Sequence, residues 1–229
     1  MLSELKRRVL DANKALKESG LVVLTWGNAS EIDREEGVVA IKPSGVPYEK
    51  LSEDGIVLVN LEGEVLEGKL RPSSDLPTHL EIYRNCSGIG GIVHTHSTFA
   101  TAFAQAGRGI PPLGTTHADC FFGEVPCARM LNRKEVEEDY EGNTGKLIVN
   151  TFKGGDMLSV PGILLFGHGP FTWGRNAKEA VENAITLEEV AKMAYLTETL
   201  GGGERLPNYL LEKHHERKHG RNAYYGQKK

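Results

Sequence analysis

The sequence predicts an α/β fold built as one domain, with helices packed against a central sheet. Three observations carry that reading. Short β-branched or apolar runs at residues 38–41, 56–59 and 91–95 are interleaved with segments of helical periodicity. The 229 residues contain no repeat, low-complexity tract or obvious linker, which suits a single large domain spanning 1–229. The elements do not follow a simple strand–helix–strand alternation, so antiparallel pairs are expected.

Each element has a local reason. Leu2, Leu5, Val9, Ala12 and Leu16 recur at steps of three and four, marking an amphipathic helix that ends near Ser19-Gly20. Residues 21–24 then lead into Trp26-Gly27-Asn28. The run 38–41 is stopped by Lys42-Pro43-Ser44-Gly45, and the run 56–59 is followed by a turn around Gly63. Residues 76–84 read as a helix and 91–95 as a strand. A helix follows at 98–105, ended by Gly107 and Gly109, and 114–119 reads as irregular. Residues 134–140 read as a short helix and 146–151 as a strand. Another apolar run, Ile163-Leu164-Leu165-Phe166, precedes Gly167-His168-Gly169. The helix at 176–200 is the clearest: Asn176 can cap it, and Glu179 sits three residues on, as in a capping box. Gly201-Gly202-Gly203 ends it, and a polar helix with a weak apolar stripe follows at 206–219.

Composition narrows the function classes. The chain is 39% hydrophobic and 25% charged with a net charge of -4, which gives no electrostatic reason to expect nucleic acid. No apolar stretch approaches the ~20 residues needed to span a bilayer, so no membrane partner is expected. The charged start, Met1 to Arg8, has no signal-peptide apolar core. Cys86, Cys120 and Cys127 form no CxxC pair, and their odd number suits reduced packing thiols in a cytoplasmic protein.

The chemistry concentrates in histidines. His94-Thr95-His96 closes a strand, where residues two apart point to the same side. His168, flanked by glycines, sits beyond another apolar run. Three neutral imidazoles with an open position form the pattern of a catalytic zinc site rather than a closed structural one. Pro72-Ser73-Ser74-Asp75 precedes a helix. It is either an ordinary helix start, capped by Ser or Asp, or an anion site in which hydroxyls and N–H groups hold a phosphate while Asp75 turns toward the metal. Trp26-Gly27-Asn28 and Lys42-Pro43-Ser44-Gly45 are loops of related composition, and neither has P-loop spacing.

Taken in order, these segments resemble the class II aldolase (aldolase/epimerase) family, in its L-ribulose-5-phosphate 4-epimerase branch. The resemblance rests on Leu24-Thr25-Trp26-Gly27-Asn28, Ile41-Lys42-Pro43-Ser44-Gly45, Pro72-Ser73-Ser74-Asp75, Ile92-Val93-His94-Thr95-His96 and Gly167-His168-Gly169-Pro170-Phe171. Gly114-Thr115-Thr116-His117-Ala118-Asp119, Arg217-Lys218-His219-Gly220 and Ala223-Tyr224-Tyr225-Gly226-Gln227 complete the pattern, and the His117-Ala118-Asp119 and Tyr224-Tyr225-Gly226-Gln227 segments point to the epimerase branch. The resemblance implies a three-layer α/β/α fold with a mostly antiparallel sheet. It implies one Zn2+ per subunit, replaceable by other divalent ions, on His94, His96 and His168 with Asp75 beside it. It implies substrate contacts from Gly27, Asn28, Lys42, Ser44, Gly45, Ser73 and Ser74, and an acid/base pair of Asp119 and Tyr225. The C-terminal helix and tail, 206–229, would contribute to that site. A cytoplasmic homotetramer with sites between subunits and a sugar-phosphate substrate is also implied. The implied reaction breaks and remakes the C3–C4 bond of a pentulose phosphate, inverting C4. The rival readings are a class II aldolase of the fuculose or rhamnulose phosphate type, and a metal-free assembly domain like the heads of cytoskeletal relatives.

Overall fold

The sheet explains where the core lies. In the computed structural model, which describes residues 2–221 and 223–226, eight strands form one sheet in the order β4-β3-β2-β1-β5-β8-β7-β6. They are β1 (Asn28–Asp33), β2 (Val38–Ile41), β3 (Val57–Asn60), β4 (Val65–Glu67), β5 (Gly91–His94), β6 (Cys127–Ala128), β7 (Gly162–Leu165) and β8 (Pro170–Gly174). All neighbours pair antiparallel except β6 with β7. Alternate side chains enter opposite cores, as the pleat requires. Ala40, Leu58 and Val93 pack with α1 (Leu2–Glu18) and α6 (Ala177–Thr199). Val39, Ile41, Val57, Val59 and Ile92 face the other way, against α2 (Leu76–Asn85) and α5 (Arg133–Thr151). The result is the three-layer α/β/α arrangement. α3 (Thr98–Gln105), α4 (Thr115–Ala118) and α7 (Asn208–His219) complete the chain. Phe103 and Ala104 of α3 join a third cluster with Leu187 and Val190 of α6.

Most predicted elements stand within a residue or two of their expected bounds; β1, β4, β6 and β8 have no counterpart in the sequence reading, and four further points differ. Residues 146–151 are not a strand but the last turns of α5. The β-branched run there is helical because Leu147 and Ile148 are buried against α2, and tertiary packing overrides a weak local preference. The hydroxyl of Thr151 donates to the Leu147 carbonyl, the bond that a helical threonine makes. The reciprocal capping box is at Asn132 and Glu135, starting α5. At α6 the Asn176 side chain does accept from Glu179 N, but the Glu179 carboxylate takes the Arg175 N–H instead. Residues 115–118 form the single turn α4 within the stretch read as irregular. β5 ends at His94, so Thr95 and His96 lie beyond the ladder. The three cysteines carry free thiols and are half-buried at the edges of the clusters.

The α5 cap gives a direct stability prediction. Asn132→Ala removes the acceptor for Glu135 N, bonded at 3.0 Å. It should lower unfolding stability by about 1 kcal/mol, read as a lower urea midpoint with an unchanged slope; no shift would mean the cap carries no weight.

Among the described residues no helix is long and apolar enough to cross a membrane.

Candidate metal centre

Two strands and one turn bring the histidines together. His94 ends β5, His96 follows two residues later, and His168 tops the turn between β7 and β8. Because β5 pairs with β8, this turn lies beside the end of β5. Gly169 permits the approach: a Cβ there would stand 2.7 Å from the Thr95 carbonyl oxygen. The Nε2 atoms of His94 and His96 are 3.1 Å apart. The ring centroids lie 4.9 Å apart for His94 and His96, 4.7 Å for His94 and His168, and 4.9 Å for His96 and His168. One nitrogen from each ring lies within 4.8 Å of the other two.

The chemistry of the donor set fits a divalent ion. Two imidazole nitrogens on a tetrahedral zinc sit ~3.3 Å apart, close to the His94–His96 separation. His94 Nδ1 lies 2.9 Å from the Pro170 carbonyl, so Nδ1 carries the proton and donates, leaving the Nε2 lone pair free. The His94 ring stacks on Phe171, with centroids 4.2 Å apart and planes at 18°. Tyr140 Oη lies 3.3 Å from His168 Nδ1, a contact in which either atom can donate. Burial, with His94 and His96 close by, pushes His168 down to about 3, so it stands neutral and able to bind metal at physiological pH.

The triad opens into a cavity of about 620 Å³. The sequence-predicted residues Gly27, Asn28, Lys42, Ser44, Gly45, Ser73, Ser74 and Asp75 all line it. Gly27 has φ +77, and a Cβ there would lie 2.8 Å from the His94 carbonyl oxygen. Only glycine lets this turn come so close to the strand carrying the ligands. Asp75 is the residue before α2, yet its side chain caps nothing. Its Oδ2 instead accepts from Asn28 Nδ2 at 2.6 Å, so the carboxylate is turned toward β1 rather than onto the free N–H groups of the helix. Burial alone would raise the Asp75 carboxyl, but His94, His79 and the Asn28 amide outweigh it and hold the group below its usual value. No Asp75 oxygen joins the convergent nitrogen atoms, which are all from histidine among the described residues. Asn28 Oδ1 is buried without a partner. Lys42 is only 2% exposed; burial lowers its pKa, partly countered by Asp75.

Sequence reasoning missed Tyr140 and Glu141, which also line the cavity. They follow Asp139, where α5 breaks with φ -165 and ψ 84. The available signal was the end of helical periodicity at 140, read there as a terminus rather than as a kink.

Asp119 and Tyr225 stand elsewhere in this chain, and neither lines the cavity of the triad. Asp119 follows α4 and is buried. Its carboxylate accepts from Arg217 Nε at 2.8 Å, from Arg217 Nη2, and from His214 Nδ1 at 3.0 Å. Burial would raise its pKa, but the bonds from Arg217 and His214 and the charge of Lys218 hold it below the usual carboxylate value. Tyr225 is exposed, with the Arg217 guanidinium 5.0 Å and the Lys218 ammonium 4.6 Å from its ring centre. Arg217 thus touches both residues. Gln227 of the C-terminal motif lies outside the described residues. Since Leu211 is the one buried apolar side chain of α7, the Asp119 contacts carry much of its docking. Asp119→Asn should therefore speed proteolysis within 208–219 while leaving metal content intact; unchanged cleavage would show that α7 docks without this carboxylate.

Two buried histidines outside the triad give a pH prediction. Burial lowers His79 to about 3 despite Asp75, and burial also lowers His117 despite its contact with the Gly123 carbonyl. The unfolded chain binds these protons first, so their contribution is complete above pH ~6.5 and is lost as pH falls below it. Urea midpoints of metal-free protein should fall between pH 7 and pH 5, with up to ~1.4 kcal/mol lost per pH unit for each such group. A flat profile across that range would contradict it.

With fold and site described, the class is defined: residues 7–195 match the Class II Aldolase and Adducin N-terminal domain family, and the chain belongs to that family. Class II aldolases use a divalent metal, typically zinc, and the histidine triad supplies a site of that kind. The fold is similar to that of an L-fuculose 1-phosphate aldolase, at 28% identity and TM-score 0.81 over 93% of this chain and 95% of that one. An L-fuculose-1-phosphate aldolase from Thermus thermophilus is 27% identical, with TM-score 0.69, over 89% of this chain and 100% of that one. YgbL from Klebsiella pneumoniae, described as a candidate aldolase/epimerase/decarboxylase, shares the fold at 22% identity and TM-score 0.75 over 93% of this chain and 98% of that one.

Proposed function

We propose that this protein is an L-ribulose-5-phosphate 4-epimerase, interconverting L-ribulose 5-phosphate and D-xylulose 5-phosphate. The observation that carries the reading is a single cavity joining the three-histidine centre to Lys42, Ser44, Ser73 and Ser74, which suit a phosphate at the start of α2. The hydrogen on C4 of a pentulose phosphate is not acidic, so inversion by simple deprotonation is slow. Breaking C3–C4 avoids that barrier. The C4 hydroxyl loses its proton to a base, the C3–C4 electron pair moves into an enediolate of dihydroxyacetone, and glycolaldehyde phosphate forms. The aldehyde turns, C3–C4 re-forms on its other face, and the new C4 oxygen takes a proton from an acid.

His94, His96 and His168 would hold a divalent ion, which would supply Lewis-acid stabilisation of the developing negative charge. Lys42 and the serines hold the phosphate so that the aldehyde stays bound while its carbonyl rotates. Asn28 Oδ1, buried without a partner, accepts from a substrate hydroxyl. Asp119 and Tyr225 hold and release the proton on the two faces. The family resemblance is what supports these two roles; since neither residue lines the triad's cavity within one chain, this reading requires that they reach the triad of a neighbouring subunit in a cytoplasmic homotetramer. Zn2+ is the ion assigned, since imidazole ligands suit it.

Similarity to L-fuculose 1-phosphate aldolase favours a second reading, an aldolase that releases its fragments. Asp75 supports the epimerase, because aldolases of the resembled family place the longer Glu at this position. The test is the product set from L-ribulose 5-phosphate. D-xylulose 5-phosphate without free dihydroxyacetone supports the epimerase, and accumulating dihydroxyacetone moves the assignment to the aldolase.

A further inference from the structure

Three consecutive carbonyls in the turn before β1 are each held by a side chain. Tyr48 Oη lies 2.8 Å from the Trp26 oxygen and 2.9 Å from the Gly27 oxygen, so its one proton is shared between them. Lys42 Nζ lies 3.4 Å from the Thr25 oxygen. The two donors belong together: Lys42 Nζ sits 4.8 Å from the centre of the Tyr48 ring. Both residues are buried. The turn they hold is strained, since Leu24 has φ 54, the one non-glycine with positive φ among the described residues. It carries Trp26, which lines the metal cavity with its ring 6.3 Å from His96. Trp26 is nevertheless 52% exposed. The indole is thus left half exposed on a clamped, strained turn beside the metal centre.

We propose that Tyr48 is a positioning residue that clamps the 24–27 turn against the metal centre, and that Trp26 is the wall this turn lays over a bound sugar phosphate. The second half rests on the sugar-phosphate reading above; the first does not. Tyr48 acts through main-chain carbonyls and does not line the cavity itself. Loss of its hydroxyl should therefore weaken substrate binding rather than metal binding or the chemical step.

The test uses the metal-loaded full chain. Trp173 is fully buried and donates its ring N–H to the Met157 carbonyl, so quenching of tryptophan emission by acrylamide reports Trp26. Tyr48→Phe keeps the ring beneath Lys42 and removes only the hydroxyl. It should retain the wild-type metal content, raise the quenching constant about twofold or more, and raise KM for L-ribulose 5-phosphate about tenfold, with kcat within about threefold of wild type. A structural role alone would lower the melting temperature without moving KM. Wild-type quenching and wild-type KM in Tyr48→Phe would overturn the clamp. Trp26→Ala, at an exposed position that folding tolerates, should raise KM with metal content unchanged, and a wild-type KM there would overturn the wall. If the wild-type protein does not turn over L-ribulose 5-phosphate, the functional reading fails and the wall with it, while quenching in Tyr48→Phe still decides the clamp.

Discussion

Replacing His96 by Asn is expected to strip the protein of metal and activity together, by more than about 100-fold in turnover at limiting metal. Loss of an outer partner of a ligand costs roughly 10- to 100-fold in affinity or activity, and loss of a ligand itself costs more. The fold should survive, because His96 lies beyond the β5 ladder and is exposed. Far-ultraviolet circular dichroism should match wild type while metal analysis falls well below one ion per chain. His94 is a poorer choice for this experiment, since it is buried, stacked on Phe171 and bonded to Pro170, so its loss mixes packing with ligation. Full activity in a metal-poor His96→Asn protein would refute the site.

Tyr225→Phe should spare both metal and fold and slow epimerisation by about 10²- to 10⁴-fold, the usual contribution of a positioned proton donor. Removing one exposed hydroxyl disturbs little, because the cation–ring contacts with Arg217 and Lys218 need only the ring. Asp119 is less clean as a test, since its carboxylate also anchors α7 through Arg217 and His214. Unchanged turnover in Tyr225→Phe would remove this phenol from the proton transfer. A loss confined to KM would instead assign it to binding.

The site was more legible in the sequence than the sheet around it. His94-Thr95-His96 and Gly167-His168-Gly169 stand out because metal chemistry needs particular atoms on short, nearby segments. The strand β1 was not legible. Its residues Asn28-Ala29-Ser30-Glu31-Ile32-Asp33 are mostly polar, yet the strand is nearly all buried. Those polar groups are satisfied by partners distant in sequence. Ser30 Oγ meets His79 and Tyr83, and Glu31 bonds Arg8 and the first N–H of α6. A rule that equates polar with exposed cannot find such a strand. The run at 146–151 failed for the opposite reason: Leu147, Ile148, Val149 and Thr151 fit either period, and only the α2 surface decides between them. Asp119 and Tyr225 carry no local signal at all. Each reads as an ordinary loop or tail residue, and Arg217, which touches both, is the structural link between them.

The most direct measurement is a zinc titration of metal-free protein, following D-xylulose 5-phosphate and dihydroxyacetone from L-ribulose 5-phosphate in the same samples. The account predicts xylulose phosphate formation that rises with zinc, saturates at one ion per chain, and proceeds without free dihydroxyacetone. Full-rate epimerisation in metal-free protein, or dihydroxyacetone as the main product, would contradict it.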